Sequence, residues 1–595
     1  MMTRPLAVLA LLAFCAGGAL APSAAEAAEK REAVLTKEAR DRLGRIAILD
    51  NHRVKPFDTF ARETVKTVTG DEDFGGLDPI ETVLAWAVHA PEYSKEALVR
   101  VKKERVFKEK LGLSPDVERV SFESLEGNEV FNGLFQAART KDEKERGTVD
   151  NQALEVATRF FALEAVFYGR SFQVVPAEGA EPESWYSFVD REHLASPAAT
   201  GVVDAWKAFL EAYAQGDGAR ASSLVAPLAE TLRAVNPVGY PADTMIGYEV
   251  TLNRTKPFFW GAWLYFLAFA VFLGSFIGPP KPFRIVALVI SGVAASIHVF
   301  GMIYRVLAAE RPPVTNIPES LVWISFGVLL FAVVFELIYK IRFFGTVGTA
   351  LAGLGLLYFN FCPFPTSIGP IPPVLRSNYW LTVHVLTITI SYAALLLGGG
   401  LGATYIWCRV FNVKSAGIYP TLMKSLFPAI YIGVLLITAG IILGGVWANE
   451  SWGRYWGWDP KETWAFITLL WFLAIVHARM AGYAWFKGLA VAGATVFGAG
   501  LTLFTWWGVN FIPWFVGLHT YAGASAEEFK ISSLPIAAQL SAVAVLATLG
   551  AAAVKGFLSR GLPKHADPAA IALSSQPSEK AAGPAPSGRP GVRPV

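Results

Sequence analysis

Residues 447–464 read W-A-N-E-S-W-G-R-Y-W-G-W-D-P-K-E-T-W, five tryptophans, a tyrosine and an Asp-Pro pair in eighteen positions. The stretch lies between apolar runs at 427–447 and 463–482, so it emerges at a membrane surface. Trp and Tyr gather at membrane interfaces because their rings are amphipathic, and that accounts for one or two of them. It does not account for Trp447, Trp452, Trp456, Trp458 and Trp464 together, with Gly453 and Gly457 between them. The pattern predicts a loop that offers an aromatic wall to a large, flat, apolar ligand.

Working outward, apolar runs of spanning length recur near 257–277, 284–308, 319–339, 344–361, 380–408, 427–447, 463–482, 487–508 and 533–556. A hydrocarbon core of ~30 Å needs about twenty such residues per helix. The fold class is therefore a polytopic α-helical membrane protein with about nine transmembrane helices. The 595 residues are 53% hydrophobic with mean hydropathy +0.40, beyond the range of an ordinary soluble chain. Net charge is +3, and no basic array points to nucleic acid. Ahead of the spans, residues 29–255 are mixed and charged, with helical periodicity at Asn151–Tyr168 and Val202–Tyr213. They read as a mainly helical, exported domain. Residues 1–28 have a positive start, the apolar run Leu6–Ala21 and a small-x-small site at Ala25–Ala27, the pattern of a signal peptide or an uncleaved anchor. Residues 256–558 form the membrane domain, and 559–595, rich in Pro, Ala, Ser and Gly, read as a disordered cytoplasmic tail.

If the exported domain fixes the first span's start outside, alternation puts Lys281 and Arg284, Lys340 and Arg342, Arg409, Lys414 and Lys424, Arg479 and Lys487, and Lys555 inside. This agrees with the excess of Lys and Arg in cytoplasmic loops. The loops 309–318, 362–379, 448–462 and 509–532 then lie outside. Of the three cysteines, Cys15 falls in the signal segment, and Cys362 and Cys408 sit near opposite ends of their helices. The chain carries no C-x-x-C and no Cys/His metal spacing.

His384, one turn into the fifth span, and His519, in the last outer loop, share the face of the tryptophan stretch. Heme iron accepts axial imidazoles and a porphyrin wants aromatic packing, so this pair is a candidate ligand set. The plainer reading is two interfacial histidines making hydrogen bonds. His477 lies about fourteen residues into the seventh span and His298 about fourteen from the inner end of the second. At ~1.5 Å per residue that is ~20 Å of depth each, which brings the two to overlapping levels. An ionisable group in hydrocarbon is a functional candidate; for His298 the alternative is a buried ring bonded to a backbone carbonyl. His52, His89 and His193 read as ordinary surface or packing residues. D-P-K-E at 459–462 has an N-cap Asp, Pro at N1 and Glu at N3, a good helix start. Asp459 therefore opens the seventh span, which does not exclude a ligand role.

The tryptophan stretch resembles the "WWD" signature of the heme-handling proteins of cytochrome c assembly, and residues 257–558 resemble the CcsA/ResC component of the Ccs-type (system II) synthetase. The run R-P-P-V-T-N-I-P-E-S-L (311–321) also resembles a loop of that family. I-A-I-L-D-N-H-R-V-K-P-F-D-T-F-A-R-E, near 46–63, is similar to the periplasmic region of fused CcsB–CcsA proteins. The resemblance implies heme b as transported ligand and substrate. His384 and His519 match the external iron ligands, and His477 matches a transmembrane ligand. The residue analogous to His298 belongs to the CcsB part of fused members. Two heme stations follow, His298 with His477 inside and His384 with His519 below the tryptophans, with Arg454 and Lys461 available to the propionates.

His384, His519 and Asp459 would carry the reaction of a holocytochrome c synthase, or of a subunit of one, in the bacterial inner membrane. Implied partners are apocytochrome c, a CcsB/ResB-like subunit, a thioredoxin-like thiol reductant and the lipid bilayer. One rival is a heme lyase or heme chaperone of CcmF/CcmC type. Another is a quinol-oxidising heme b protein, whose iron ligands would lie deep in the spans. A third is a non-heme transporter, which should show broken helices with paired charges at the midplane.

Overall fold

The computed structural model describes residues 32–102, 104–142, 145–177, 184–190, 194, 196–362, 366–369, 379–415, 417–512, 515, 517–519 and 536–560. The signal segment, His193, most of the tail and the loop residues 520–532 lie outside these. Two compact units result: one runs to Thr255 and takes in short segments near Tyr304 and Ser367, and the other holds most of the remainder.

The N-terminal unit is mainly helical, with helices at Thr148–Phe167 and Pro197–Ala214 where the periodicity predicts them. Its core is aromatic: Trp86, Trp206, Phe57, Phe107, Phe131, Phe172 and Phe209 are fully buried. Three antiparallel two-stranded sheets occur among its described residues. In the first, Ala47–Asp50 pairs with Arg53–Pro56 across Asn51 and His52, both at positive φ (51° and 60°). Two positive-φ residues are what a tight type I′ connection demands, so His52 serves as a turn residue. Two buried carboxylates of this unit are paired. Glu81, wholly buried, accepts from Leu35 N at 2.9 Å and from the Tyr213 hydroxyl at 2.7 Å. Arg53 grips Glu249 through both carboxylate oxygens, at 2.9 and 2.6 Å.

The second unit is a helical bundle. Among the described residues nine helices are long and apolar enough to cross a membrane: Pro257–Gly274, Pro280–Ala309, Ile317–Tyr339, Phe343–Phe361, Tyr379–Val410, Ile418–Trp452, Pro460–Met480, Leu489–Phe511 and Ala538–Leu558. They are numbered as spans one to nine. Leu435, Ile442, Leu546 and Phe557 point outward, each more than 60% exposed on the protein alone, which is the dress of a surface solvated by lipid. Span five is central, packing on spans three, four, six, eight and nine. Span seven packs between six and eight.

Two elements differ from expectation. Span six continues to Trp452 instead of ending near 447, so Trp447 and Trp452 ride on a helix and the loop proper is only 453–459. Ala448-Asn449-Glu450-Ser451 is polar but carries no helix breaker; Gly453, left-handed at φ +70°, is the stop. Span eight contains a π-helical turn, Phe504–Gly508, before its last turn at Val509–Phe511. The Asn510 amide donates to Trp506 O at 2.7 Å, and the Trp506 indole donates to Ser320 Oγ at 3.0 Å.

Candidate functional site

The short loop after Trp452 is fixed at its far end by the start of span seven. Asp459 Oδ1 accepts from Lys461 N at 2.9 Å, Pro460 occupies N1, and Glu462 reaches back to Gly457 N and Asp459 N at 2.9 and 3.2 Å. The reciprocal cap expected from D-P-K-E is present. The same carboxylate also reaches out of its helix. Its Oδ2 accepts from Leu518 N at 2.6 Å, and its Oδ1 lies 3.0 Å from His519 Nδ1. A Cβ on Gly517 would sit 2.1 Å from Asp459 Oδ2, so only glycine permits the loop to come this close. Burial works to raise the Asp459 carboxyl. The His519 ring beside it and the two backbone N–H donors outweigh that and hold it below the usual carboxylate range.

His384, on span five, lies with Nδ1 2.8 Å from Gly440 O of span six. A carbonyl only accepts, so Nδ1 carries the proton and Nε2 keeps its lone pair. The ring fits because position 444 is glycine: a Cβ there would stand 2.6 Å from His384 Cε1. His519 Nδ1 faces the Asp459 carboxylate at ion-pair distance, without the aligned hydrogen bond that His384 makes. Among the described residues neither Nε2 has a hydrogen-bond partner. Orienting a histidine through Nδ1 so that Nε2 is offered is how proteins prepare imidazoles for metals.

Both rings rest on one indole. Trp447, 1% exposed, lies 6.2 Å from His384 and 5.6 Å from His519 between ring centres. Trp452 stands 4.7 Å from Trp447 and 5.0 Å from His519, the latter at 90°. Leu381, Trp380 and Val385 complete this small apolar cluster.

This arrangement falls inside a segment with known relatives. The family described as Cytochrome C assembly protein matches residues 314–519, a stretch that ends on His519. CcsA of Chlorella vulgaris is 32% identical over 283 residues, 41% of this chain and 88% of that protein. The chain belongs to the CcsA-type cytochrome c biogenesis family. CcsA of Prochlorococcus marinus (strain MIT 9301) is 31% identical over 253 residues, 37% of this chain and 79% of its own length. NrfI of Wolinella succinogenes is 27% identical over 500 residues, 79% of this chain; the chain spans about half, 53%, of that relative.

Within this CcsA-type site the tryptophans divide. Trp452 stands at 90° to His519, and Trp447 lies within 9° of the His384 plane. Trp456 and Trp458 contact each other, and Trp456 also contacts Phe466. Trp464 contacts Phe504 and Phe515. The single wall of five indoles is thus corrected to two indoles at the imidazoles, because the helix carries Trp447 and Trp452 inward while the loop turns at Gly453. Arg454 folds back over its own loop, where a Cβ on Gly457 would collide with its guanidinium. Lys461, half-buried, extends to Asn510 Oδ1 at 3.5 Å.

The expected inner pair is not assembled. His298 is fully buried, with Nε2 3.1 Å from Val322 O and Nδ1 3.0 Å from the Tyr265 hydroxyl. Nε2 must donate to the carbonyl, so Nδ1 accepts from the tyrosine, and neither nitrogen is left for a metal. Phe258 and Phe326 close the ring in. His477 is exposed on span seven, its Nδ1 bonded within its own helix to Leu473 O at 2.7 Å. Similar depth did not bring the two together, since His298 faces spans one and three while span seven packs on six and eight. Among the described residues no cluster of His, Cys, Asp and Glu resembles a metal-ion site. Sequence reasoning missed the positioning groups: Gly440 O, Gly444, Gly517, and Asp459 acting on His519. A Gly-x-x-x-Gly at 440–444 in an apolar helix was the available signal for close packing.

Proposed function

We propose that this chain holds heme b by iron between His384 Nε2 and His519 Nε2 and presents it for attachment to apocytochrome c. The carrying observation is that two imidazoles lie 6.2 and 5.6 Å from one buried indole between ring centres, with Nδ1 of His384 on a carbonyl, Nδ1 of His519 facing a carboxylate, and each Nε2 without a partner among the described residues. The buried Trp447 Nε1, without a partner among the described residues, and the Gly444 gap that admits the His384 ring fit a polar-edged, flat ligand. In the reaction, each thiol of a C-x-x-C-H segment adds across a heme vinyl group; the sulfur bonds to carbon and the thiol hydrogen goes to the neighbouring carbon. No external oxidant or reductant enters that step. The protein's part is to hold vinyls and thiols in register, which turns an encounter into an intramolecular event. The peptide histidine then replaces one protein imidazole.

The tryptophan face is the outer, periplasmic side of a bacterial inner membrane on this reading, supported by the Lys and Arg placed at alternate span ends. His477, exposed on span seven, suits a surface completed by a second, CcsB/ResB-like subunit carrying its own imidazole. A thioredoxin-like reductant keeps the apocytochrome thiols available. The absorption spectrum of the full-length protein purified from heme-replete cells tests the site. A low-spin bis-histidine heme b, lost in His384→Ala and in His519→Ala, is the expected result. A colourless protein, or a spectrum indifferent to both replacements, would refute it and favour a non-heme transporter.

A further inference from the structure

One donor at this site lacks an acceptor and a second has a single long one. Trp447 is 1% exposed, and its Nε1–H has no hydrogen-bond partner among the described residues. A buried donor left unpaired costs about 1–3 kcal/mol, and such groups are uncommon unless something else satisfies them. Its ring centre lies 6.2 Å from that of His384 and 5.6 Å from that of His519, near-parallel to the former. Since an imidazole bound through its lone pair stands upright on a porphyrin, an indole parallel to that ring would meet such a ligand edge-on. The second donor is Lys461. Its Nζ has one long contact, 3.5 Å to the Asn510 amide oxygen, and among the described residues it pairs with no carboxylate. Asp459 makes no ion pair with it; the oxygens of that carboxylate serve Lys461 N, Leu518 N and His519. The lysine is nevertheless tied to the site, since its backbone N and His519 Nδ1 share Asp459 Oδ1. Arg454, the other candidate cation, folds onto its own loop at Gly457.

We propose that Trp447 Nε1–H and Lys461 Nζ form a carboxylate-recognition subsite that receives the two propionates of the porphyrin. Trp447 then reads the ligand's acidic edge, and Trp452 alone among the clustered indoles lies against its face. An indole N–H supplies direction and an ammonium supplies charge. Together they fix which way the porphyrin is turned about its axis of iron ligands, and hence where its vinyl groups point.

This inference rests on the bis-histidine reading, and the test separates the two. Full-length protein freed of heme is titrated with ferric heme b and with its dimethyl ester, which keeps iron, face and vinyls but lacks the acids. The wild type is expected to bind the free acid at least tenfold more tightly, and both forms should give the bis-histidine spectrum. Trp447→Phe, which keeps a ring but removes the donor, should weaken the free acid about tenfold, the weight of a hydrogen bond to a charged acceptor, and leave the ester unchanged. Lys461→Met should do the same. Equal affinity of the wild type for both forms overturns the proposal, as does a variant that weakens both forms by the same factor, which marks a packing role. If neither form gives a bis-histidine spectrum in the wild type, the underlying reading falls as well. Ester binding reports folding of each variant in the same titration.

Discussion

Replacing Asp459 by Asn separates its two tasks. As an N-cap, Asn serves as well as Asp, so the start of span seven should survive. As a clamp it should fail. The carboxylate accepts from Lys461 N at 2.9 Å and Leu518 N at 2.6 Å and faces His519 Nδ1 at 3.0 Å. An amide has one oxygen, and its nitrogen would oppose a donor on the other side. The variant thus forfeits at least one hydrogen bond to a charged acceptor, about 1.5–3 kcal/mol, concentrated on residues 518 and 519. Loss of a group that orients a metal-binding histidine typically lowers metal affinity about 10–100-fold, or about 1.4–2.7 kcal/mol. The assay is a heme titration of the detergent-solubilised full chain, followed by absorption, with thermal unfolding alongside. Asp459→Asn should lose that affinity with little change in unfolding temperature, whereas Asp459→Ala should lose the affinity and about 1 kcal/mol of cap stability besides. Wild-type heme affinity in the Asn variant would refute the claim that this carboxylate orients His519.

Gly444→Ala puts a methyl 2.6 Å from His384 Cε1 and 2.9 Å from its Nδ1, so the ring must leave Gly440 O. Heme content should fall, while Gly493→Ala, where a Cβ meets nothing within 4 Å, should retain it; equal spectra would count against the packing argument. His298→Phe should reduce thermal stability by about 1–3 kcal/mol through the orphaned Val322 carbonyl and Tyr265 hydroxyl and leave the purified protein's heme spectrum intact. A loss of heme at unchanged stability would restore His298 as a ligand. In the N-terminal unit, Tyr213→Phe removes the 2.7 Å bond to the buried Glu81. About 1.5–3 kcal/mol of lost stability should appear as faster proteolysis of that unit in the full chain, and unchanged protection would contradict the role assigned to the pair.

The spans were legible because hydrocarbon imposes a length and a composition that few other environments require. The end of span six was not, because Trp447–Trp452 mixes aromatic and polar residues that suit a loop or a helix, and one glycine decides. His384 and His519 could be assigned to one face from alternation alone, and the structure brings both to Trp447; the ligand role comes from the family likeness and is the proposal made above. Which groups hold them was hidden, since Gly440 and Asp459 stand 56 and 60 positions away in sequence, and only packing reveals such pairs. His298 illustrates the opposite error. Depth along a span is readable from a sequence, but the direction a side chain takes around the helix axis depends on neighbours. The Asn51–His52 turn escaped notice for a simpler reason: it lacks the glycine that usually marks a two-residue connection.

The ligand cluster draws on residue 384, residues 440–452, Asp459 and residues 517–519, so it spans the fifth crossing through the segment beyond the eighth. During synthesis these arrive in order. A ribosome-bound chain that has delivered span six already carries His384 on Gly440 and Trp447, but the opposing imidazole and its carboxylate have yet to be inserted. On the proposed bis-histidine reading, capture of iron-porphyrin would be a late event of biogenesis, open only after the translocon has released almost the entire bundle, and partial chains stalled before residue 519 should emerge without pigment.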